Sequence, residues 1–198
     1  MEACKSIVKV GTGFEVFIYQ DDDSEDPRGQ WDNATTFVCF HGRYNLGDKH
    51  EYRQEDYEGW EGLEAQLDKD FAIVQPLFLY DHSGLTVSTS PFNCPWDSGQ
   101  IGFACVTAEN LAREWSGDED KAREYLECDV ATYDQYLRGE VYSFVVKNAD
   151  GEVVDSCSSF YGYEYACKEA EEALDYAVEA ATRREREVEE LVSRHYAL

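Results

Sequence analysis

The segment PFNCPWDSGQIGF, residues 91–103, contains side chains with the potential for thiol chemistry. Cys94 is a candidate nucleophile, and a thiol enzyme would need an imidazole as general base and a carboxylate to orient it. The candidates for these two supporting roles are His82, His41, Asp97 and Asp81. The next residue, Pro95, has no backbone N–H, so it cannot supply the amide that often follows a nucleophile in an oxyanion hole. A cysteine-dependent hydrolase or transferase is therefore one hypothesis.

The same segment also has the composition of a turn. Asn93-Cys94-Pro95 and Asp97-Ser98-Gly99 are typical turn formers, and the Asp97 carboxylate can accept hydrogen bonds from nearby amides. On this interpretation Trp96 supplies apolar area. We favour this structural interpretation, and we expect a protein that is not an enzyme and needs no cofactor.

The cysteines do not form a metal-binding pattern. Seven are dispersed along the chain without a C-x-x-C pair, which is typical of reduced thiols acting as small core residues. The nearest approach to a cluster is Cys39-Phe40-His41, with His50 and His82 elsewhere. This spacing does not match a zinc motif, so no metal site is expected.

The formal net charge is −25, and it is unevenly distributed. Residues 20–70 hold 15 acids and 5 bases, residues 108–140 hold 10 and 4, and residues 150–198 hold 13 and 5. Residues 71–107 contain no Lys or Arg, so this neutral stretch is expected to form the core. Three explanations of the charge remain open: a solvated surface, imitation of a polyanion, and calcium binding by the acidic loop after residue 20, which lacks EF-hand spacing.

Hydrophobic patterning predicts an α+β fold: a single domain with a mainly antiparallel sheet, flanking helices and a long C-terminal helix. The predicted division is a core domain over residues 1–162 and an acidic helix over residues 163–198. Strands are expected at residues 14–19, 36–40, 71–80, 85–88, 100–106, 141–147 and 152–156. Helices are expected at residues 57–67, from a cap at Thr107, at 119–126 with a short turn in YDQYL, and from Glu164 nearly to the end. Pro76 removes a ladder donor, so its strand is predicted to be an edge or to be bulged.

The predicted C-terminal helix has a narrow apolar stripe among many acids. Its members are Ala166, Ala170, Leu174, Ala177, Ala181, Val188 and Leu191. A stripe of this width suits packing on the core, or a coiled-coil seam that would form a homodimer. No run of about 18 apolar residues occurs and the N-terminal segment lacks a secretory pattern, so a cytoplasmic protein without a membrane span is expected.

Four segments resemble phrases of a known protein family. They are FHGRYNLGDKH (40–50), LYDHSGLTVSTSPFNCPWDSGQIGF (79–103), TYDQYLRGEVY (132–142) and DSCSSFYG (155–162). The chain is similar, over roughly residues 30–162, to a family of small proteins on phages and conjugative elements that has no assigned activity. The resemblance implies an accessory gene of a mobile element, and such genes often encode counter-defence proteins, including anti-CRISPR and antirestriction inhibitors.

Charge and context together predict an acidic inhibitor that acts by DNA mimicry. Its partner would be a host defence protein or ribonucleoprotein with a basic nucleic-acid groove, and it would not bind nucleic acid itself. A non-enzymatic phage accessory or assembly protein is a further alternative. The candidate partner-binding acids are Asp21, Asp22, Asp23, Glu25, Asp26, Glu55, Asp56, Glu58, Glu61, Glu64, Glu169, Glu171, Glu172, Asp175 and Glu179.

Overall fold

A computed structural model of the chain describes residues 3–196. Eight strands and four helices confirm the predicted α+β class, with antiparallel pairing throughout and a long final helix. The strands are β1 (Lys5–Lys9), β2 (Phe14–Gln20), β3 (Thr36–Cys39), β4 (Ile73–Asp81), β5 (Leu85–Ser88), β6 (Ser98–Val106), β7 (Val141–Lys147) and β8 (Val153–Tyr161). The helices are α1 (Gly59–Asp70), α2 (Ala108–Trp115), α3 (Glu119–Leu137) and α4 (Tyr163–Tyr196).

The strands divide between two four-stranded sheets, in the orders β1-β2-β7-β8 and β3-β6-β4-β5. The chain accordingly forms two compact units. The first unit contains the described residues up to Ser24 and those from Gly139 onward, and the second is Glu25–Arg138. Helix α4 therefore belongs to the same unit as four of the strands.

The second unit is built around β6, which is buried on both faces. Alternate β6 residues point to opposite sides, so Phe103 and Cys105 pack with Leu63 and Leu67 of α1. On the other side, Ala104 and Val106 belong to a cluster with the α3 residues Ala122, Leu126, Val130 and Tyr133. Burial on both faces explains why residues 101–106 carry no charge. Only part of the neutral stretch 71–107 forms core, because several residues between 82 and 99 are exposed.

Helix α3 is longer than predicted. The sequence suggested a helix ending near Leu126 and a separate turn at YDQYL, but one helix runs on to Leu137. Leu126, Val130 and Tyr133 keep the apolar spacing of three or four residues, which buries one face along the whole length. Asp118 caps the start of α3 by accepting from Lys121 N–H, as Thr107 accepts from Asn110 N–H at the start of α2.

Pro76 lies in β4 where this strand has a neighbour on one side only. It is opposite Phe103 of β6, whereas pairing with β5 begins at Phe78. The β4–β6 register shifts between Leu77 and Phe78, directly after the proline. The strand is thus locally at an edge and irregular there, as expected for a residue with no N–H to donate.

The first unit packs α4 against its sheet. Val16, Ile18 and Phe144 form a core with Ala170 and Leu174 of the helix. The predicted apolar stripe is covered only in its first half, because Val188 and Leu191 are 58% and 63% exposed. The sequence did not predict β1, whose pattern KSIVK has lysines at both ends.

A buried ionic network holds the loop before β3. The side chain of Arg28 has no solvent exposure and donates to Asp48 and Asp129. It also donates to the backbone oxygen of Thr35 at 2.9 Å, and it lies 3.8 Å from the centroid of the Phe37 ring. The guanidinium is therefore fully paired, which burial of a charge requires.

None of the helices within residues 3–196 has both the length and the apolar composition needed to cross a bilayer.

Candidate functional site

Helix α1 carries a row of four carboxylates. Glu58 is the N-cap, and Glu61, Glu64 and Asp68 follow at steps of three, three and four residues. At a rise of about 1.5 Å per residue, this spacing places one carboxylate roughly every 5 Å along one side of the helix. The buried face is formed by Leu63 and Leu67. We call these four residues the α1 acid row.

The α1 acid row is not neutralised by its surroundings. Glu58, Glu61 and Asp68 are exposed and Glu64 is half-buried. None of the four forms an ion pair within the described part of the chain. Glu55 and Asp56, on a 3₁₀ turn just before the helix, are likewise exposed and unpaired. All of these acids except Asp68 were predicted from the sequence as partner-binding residues, and the continuing helical spacing would have revealed Asp68 as well.

Asp70 at the end of α1 differs from the acid row. It accepts from Tyr52 Oη at 2.9 Å and from Gln66 Nε2 at 3.0 Å, and these hydrogen bonds lower the pKa of the Asp70 carboxyl, with the Gln66 amide as the larger cause. Burial, together with the Asp70 carboxylate, raises the pKa of Tyr52 to about 12. Asp70 therefore has a local structural role.

The candidate acids of α4 are largely paired. Glu171 lies 3.7 Å from Lys5 Nζ, and Glu172 lies 3.6 Å from Lys168 Nζ. Asp175 accepts from Lys9. Glu169 and Glu179 form no ion pair within residues 3–196. The lysines of β1 thus reduce the negative charge that this part of the helix offers to a partner.

The candidate acids of the loop after β2 stabilise local turns. Asp21 accepts from the backbone N–H of Asp23, and Asp26 accepts from that of Arg28. Glu25 accepts from the indole N–H of Trp31 at 3.4 Å. Asp22 and Asp23 are exposed. Asp21, Asp22 and Asp23 belong to the first unit, and Glu25 and Asp26 to the second.

The structure brings together part of the thiol-enzyme set. Asp97 Oδ2 lies 3.2 Å from His82 Nδ1 and 3.8 Å from Cys94 Sγ. The carboxylate therefore contacts both groups, but within residues 3–196 no hydrogen bond joins the imidazole to the thiol, which is the contact that activates a nucleophile. The other two candidates have separate partners: His41 Nδ1 accepts from the Arg43 and Tyr44 amides, and Asp81 pairs with Arg43.

Cys94 and its neighbours form a turn between β5 and β6 that hydrogen-bonds to the end of β4. The Asp81 N–H donates to the Asp97 carbonyl at 2.8 Å, and the Ser98 hydroxyl donates to the Cys94 carbonyl. The apolar area of Trp96 lies outside the core, because this residue is 91% exposed. In this turn the Trp96 ring points toward solvent, whereas polar groups of the loop form hydrogen bonds within the protein.

Segments 40–50 and 79–103 meet at a shallow depression of about 320 Å³. Arg43 and Asp81 form an ion pair on its lining. Within residues 3–196, no group of three or more His, Cys, Asp or Glu side chains is arranged to hold a metal ion.

Comparisons with protein-family models, with curated proteins and with solved structures find no match to this chain.

Proposed function

We propose that this protein is an inhibitor that occupies the basic nucleic-acid groove of a host defence protein or ribonucleoprotein. The observation that carries the proposal is the α1 acid row, an ordered and unpaired line of carboxylates on one helix. The row presents negative charge where the partner normally holds phosphates. The inhibitor does not bind nucleic acid directly and needs no cofactor.

The spacing of the row is close to that of a nucleic-acid backbone. One strand of B-DNA carries a phosphate every 3.4 Å of axis, whereas the row carries a carboxylate every ~5 Å. The row therefore reaches about two-thirds of the linear charge density of one strand. Glu55 and Asp56 extend it at the N-terminal end of the helix.

Within residues 3–196 the α1 acid row forms no ion pairs, and this affects the free energy with which it binds a basic partner. A carboxylate without a partner in the free protein loses no ion pair when a lysine or arginine of the target approaches it. The formal charge of −25 also steers a basic surface toward the protein. Both effects weaken as salt rises, because the Debye length is only about 8 Å at physiological ionic strength.

The resemblance to mobile-element proteins supports a counter-defence role in the cytoplasm of a host cell. Anti-CRISPR and antirestriction targets share the chemistry that the row requires, namely a groove lined with lysine and arginine. The α4 acids contribute less, since Lys5, Lys9 and Lys168 already pair with three of them.

A capture experiment tests the proposal. The tagged full-length protein is incubated with lysates of cells that carry defence systems, at about 50 mM and about 200 mM salt, a range over which phosphate-like contacts lose most of their affinity. We expect a nucleic-acid-binding protein to be retained at low salt and released at high salt. Added duplex DNA should compete for it.

Variants make the capture specific to the row. The variant Glu58→Gln, Glu61→Gln, Glu64→Gln and Asp68→Asn should lose the partner. A matched control removes the same number of charges elsewhere through Glu124→Gln, Glu127→Gln, Glu185→Gln and Glu187→Gln, and should retain it. Cys94→Ala should also retain it. Equal capture by both charge variants, or loss of capture with Cys94→Ala alone, would reject the proposal.

A further inference from the structure

A hollow of about 610 Å³ adjoins the start of α1. Its size is within the range of about 300–1,000 Å³ that is common for ligand sites. Much of its lining is aromatic: Phe40, Tyr44, Tyr52 and Trp60. Phe40 lies 4.9 Å from the His50 ring centroid and 6.4 Å from that of Trp60, so the rings form a packed group.

His50 lines this hollow and has an unused hydrogen-bond acceptor. Its Nε2 lies 3.0 Å from the Cys39 carbonyl oxygen, which can only accept, so Nε2 carries the proton. In the neutral ring the other nitrogen, Nδ1, is then an acceptor. This atom is buried and has no hydrogen-bond partner within the described residues. An unsatisfied buried polar atom is costly, and a ligand with an N–H donor would satisfy it.

The charge around the hollow is of both signs. Glu55 and Arg53 both line it, and neither forms an ion pair within residues 3–196. Glu55 also continues the α1 acid row, so the hollow lies beside the surface that we assign to the partner. Arg53 opposes a cationic ligand, whereas Glu55 and the overall charge of −25 favour one.

We propose that this hollow receives an arginine side chain of the basic partner. A guanidinium has five N–H donors and no acceptor, so it can donate to His50 Nδ1. Its flat face stacks on aromatic rings such as Trp60 and Tyr52, where a cation is attracted to the π-system. A lysine ammonium lacks this planar face. The inference rests on the proposed function for its partner, but the site can be tested without that partner.

The first test uses three short peptides and the full-length protein. They are acetyl-Gly-Arg-Gly-amide, the lysine analogue, and the citrulline analogue, in which the guanidinium becomes a neutral urea of similar shape. Binding is followed by nuclear magnetic resonance of the His50 ring nitrogens and the Trp60 indole. The arginine peptide should bind saturably, at least fivefold more tightly than either analogue, and should shift His50 Nδ1. Absence of saturable binding, or equal binding of the citrulline peptide, would overturn the inference.

Variants test the chemistry of the lining. Glu55→Gln should weaken binding of the arginine peptide, and Arg53→Gln should strengthen it. Weaker binding with Arg53→Gln would contradict the inference, because removing a like charge should strengthen the binding of a cation. His50→Phe removes the acceptor and should reduce affinity at least fivefold, while unchanged affinity would count against it. If His50→Phe does not fold, the wild-type His50 Nδ1 shift supplies the same information.

The peptide and capture experiments can fail independently. Glu61→Gln and Asp68→Asn lie outside the lining of the hollow, so the peptide should bind these variants with unchanged affinity. Peptide binding without capture of a partner would preserve the arginine site and reject the proposed function. Capture without peptide binding would do the reverse.

Discussion

Arg28 Nη1 donates to Asp129 Oδ2 at 2.8 Å, which joins the loop before β3 to helix α3. The two residues are 101 positions apart in sequence, and the arginine side chain is fully buried. Asp48 accepts from the same guanidinium and also from the Phe37 N–H, so the network reaches the start of β3. This ionic group ties together three segments of the second unit.

Removal of the guanidinium should therefore destabilise the protein strongly. Arg28→Ala leaves Asp129 buried without its cation, and breaking a buried pair in this way costs about 3–5 kcal/mol of unfolding free energy. Arg43→Ala is the matched control, because Arg43 pairs with Asp81 but its side chain is 71% exposed. It should cost less than about 1 kcal/mol. Urea unfolding followed by circular dichroism measures both values, and similar losses would contradict the structure.

Two glycines of β6 should respond differently to a methyl group. A Cβ at Gly102 would lie 1.9 Å from the Val38 carbonyl oxygen, so Gly102→Ala must push β3 away from β6. We expect a loss of at least about 3 kcal/mol, in the range typical of severe core disruption. At Gly99 a Cβ would meet no heavy atom within 4 Å, so Gly99→Ala should change stability by less than about 1 kcal/mol. Thermal unfolding measures the midpoint temperature of each variant. Equal midpoint temperatures would contradict the close approach of Gly102 to the Val38 carbonyl.

The buried thiol of Cys39 should make stability depend on pH in the alkaline range. Burial, assisted by the Asp48 carboxylate and opposed by Arg28, raises the pKa of Cys39 from 9.0 to about 12. Above pH 9 the unfolded chain releases this proton and the folded chain keeps it. The contribution to stability is therefore complete below about pH 9 and is lost as pH rises toward 12, by about 1.4 kcal/mol per pH unit.

Urea unfolding at about pH 8 and about pH 10 measures this loss. Between these pH values the unfolding free energy of Cys39→Ala should fall less than that of the wild type, by about 1.4 kcal/mol. This difference is what one thiol contributes over one pH unit above 9. Cys157→Ala is the control, because Cys157 is exposed. If the unfolding free energy of Cys39→Ala falls between these two pH values by as much as that of the wild type, the pH dependence comes from other groups.

The second half of α4 should mediate self-association. Val188 and Leu191 continue the apolar stripe but contact no core, and Val192 beside them is 49% exposed. A second copy of this helix would cover them as a coiled-coil seam. The variant Val188→Glu with Leu191→Glu should shift the protein from dimer to monomer in sedimentation velocity. Ser193→Glu adds a charge on the opposite side of the helix and should not do so, and a wild-type monomer at all concentrations would reject the dimer.

The local pattern of apolar residues and turn formers was sufficient to predict most of the secondary structure. The strands at 85–88 and 141–147 have the predicted bounds, because their apolar and β-branched residues lie between clear turn formers. β1 was missed since its exposed lysines hide a strand that is stabilised by pairing with β2. The extension of α3 was missed because the burial that favours it comes from a distant sheet.

In the candidate site, too, some features follow from local sequence spacing and others depend on contacts between distant residues. The order of acids in α1 follows from helical spacing, so the sequence alone already placed Glu58, Glu61 and Glu64 near one another. Whether a carboxylate is free or paired depends on residues far along the chain. Lys5 and Lys9 pair with α4 acids, whereas no base among residues 3–196 forms an ion pair with the α1 acid row. The apolar character of Trp96 did not reveal its exposure, because its position depends on the turn that carries it.

Composition and periodicity thus determined that the protein is acidic and α+β, with a neutral core segment, a cluster of acids at α1 and a long final helix. These properties depend on side-chain type and on neighbours within a few positions. Only the tertiary structure decided that the strands form two sheets, that Arg28 is buried between Asp48 and Asp129, and that the α1 acid row stays unpaired within residues 3–196 while three of the five candidate acids of α4 are paired with lysines. Such outcomes arise from contacts between distant residues, and spacing along the chain carries no information about them.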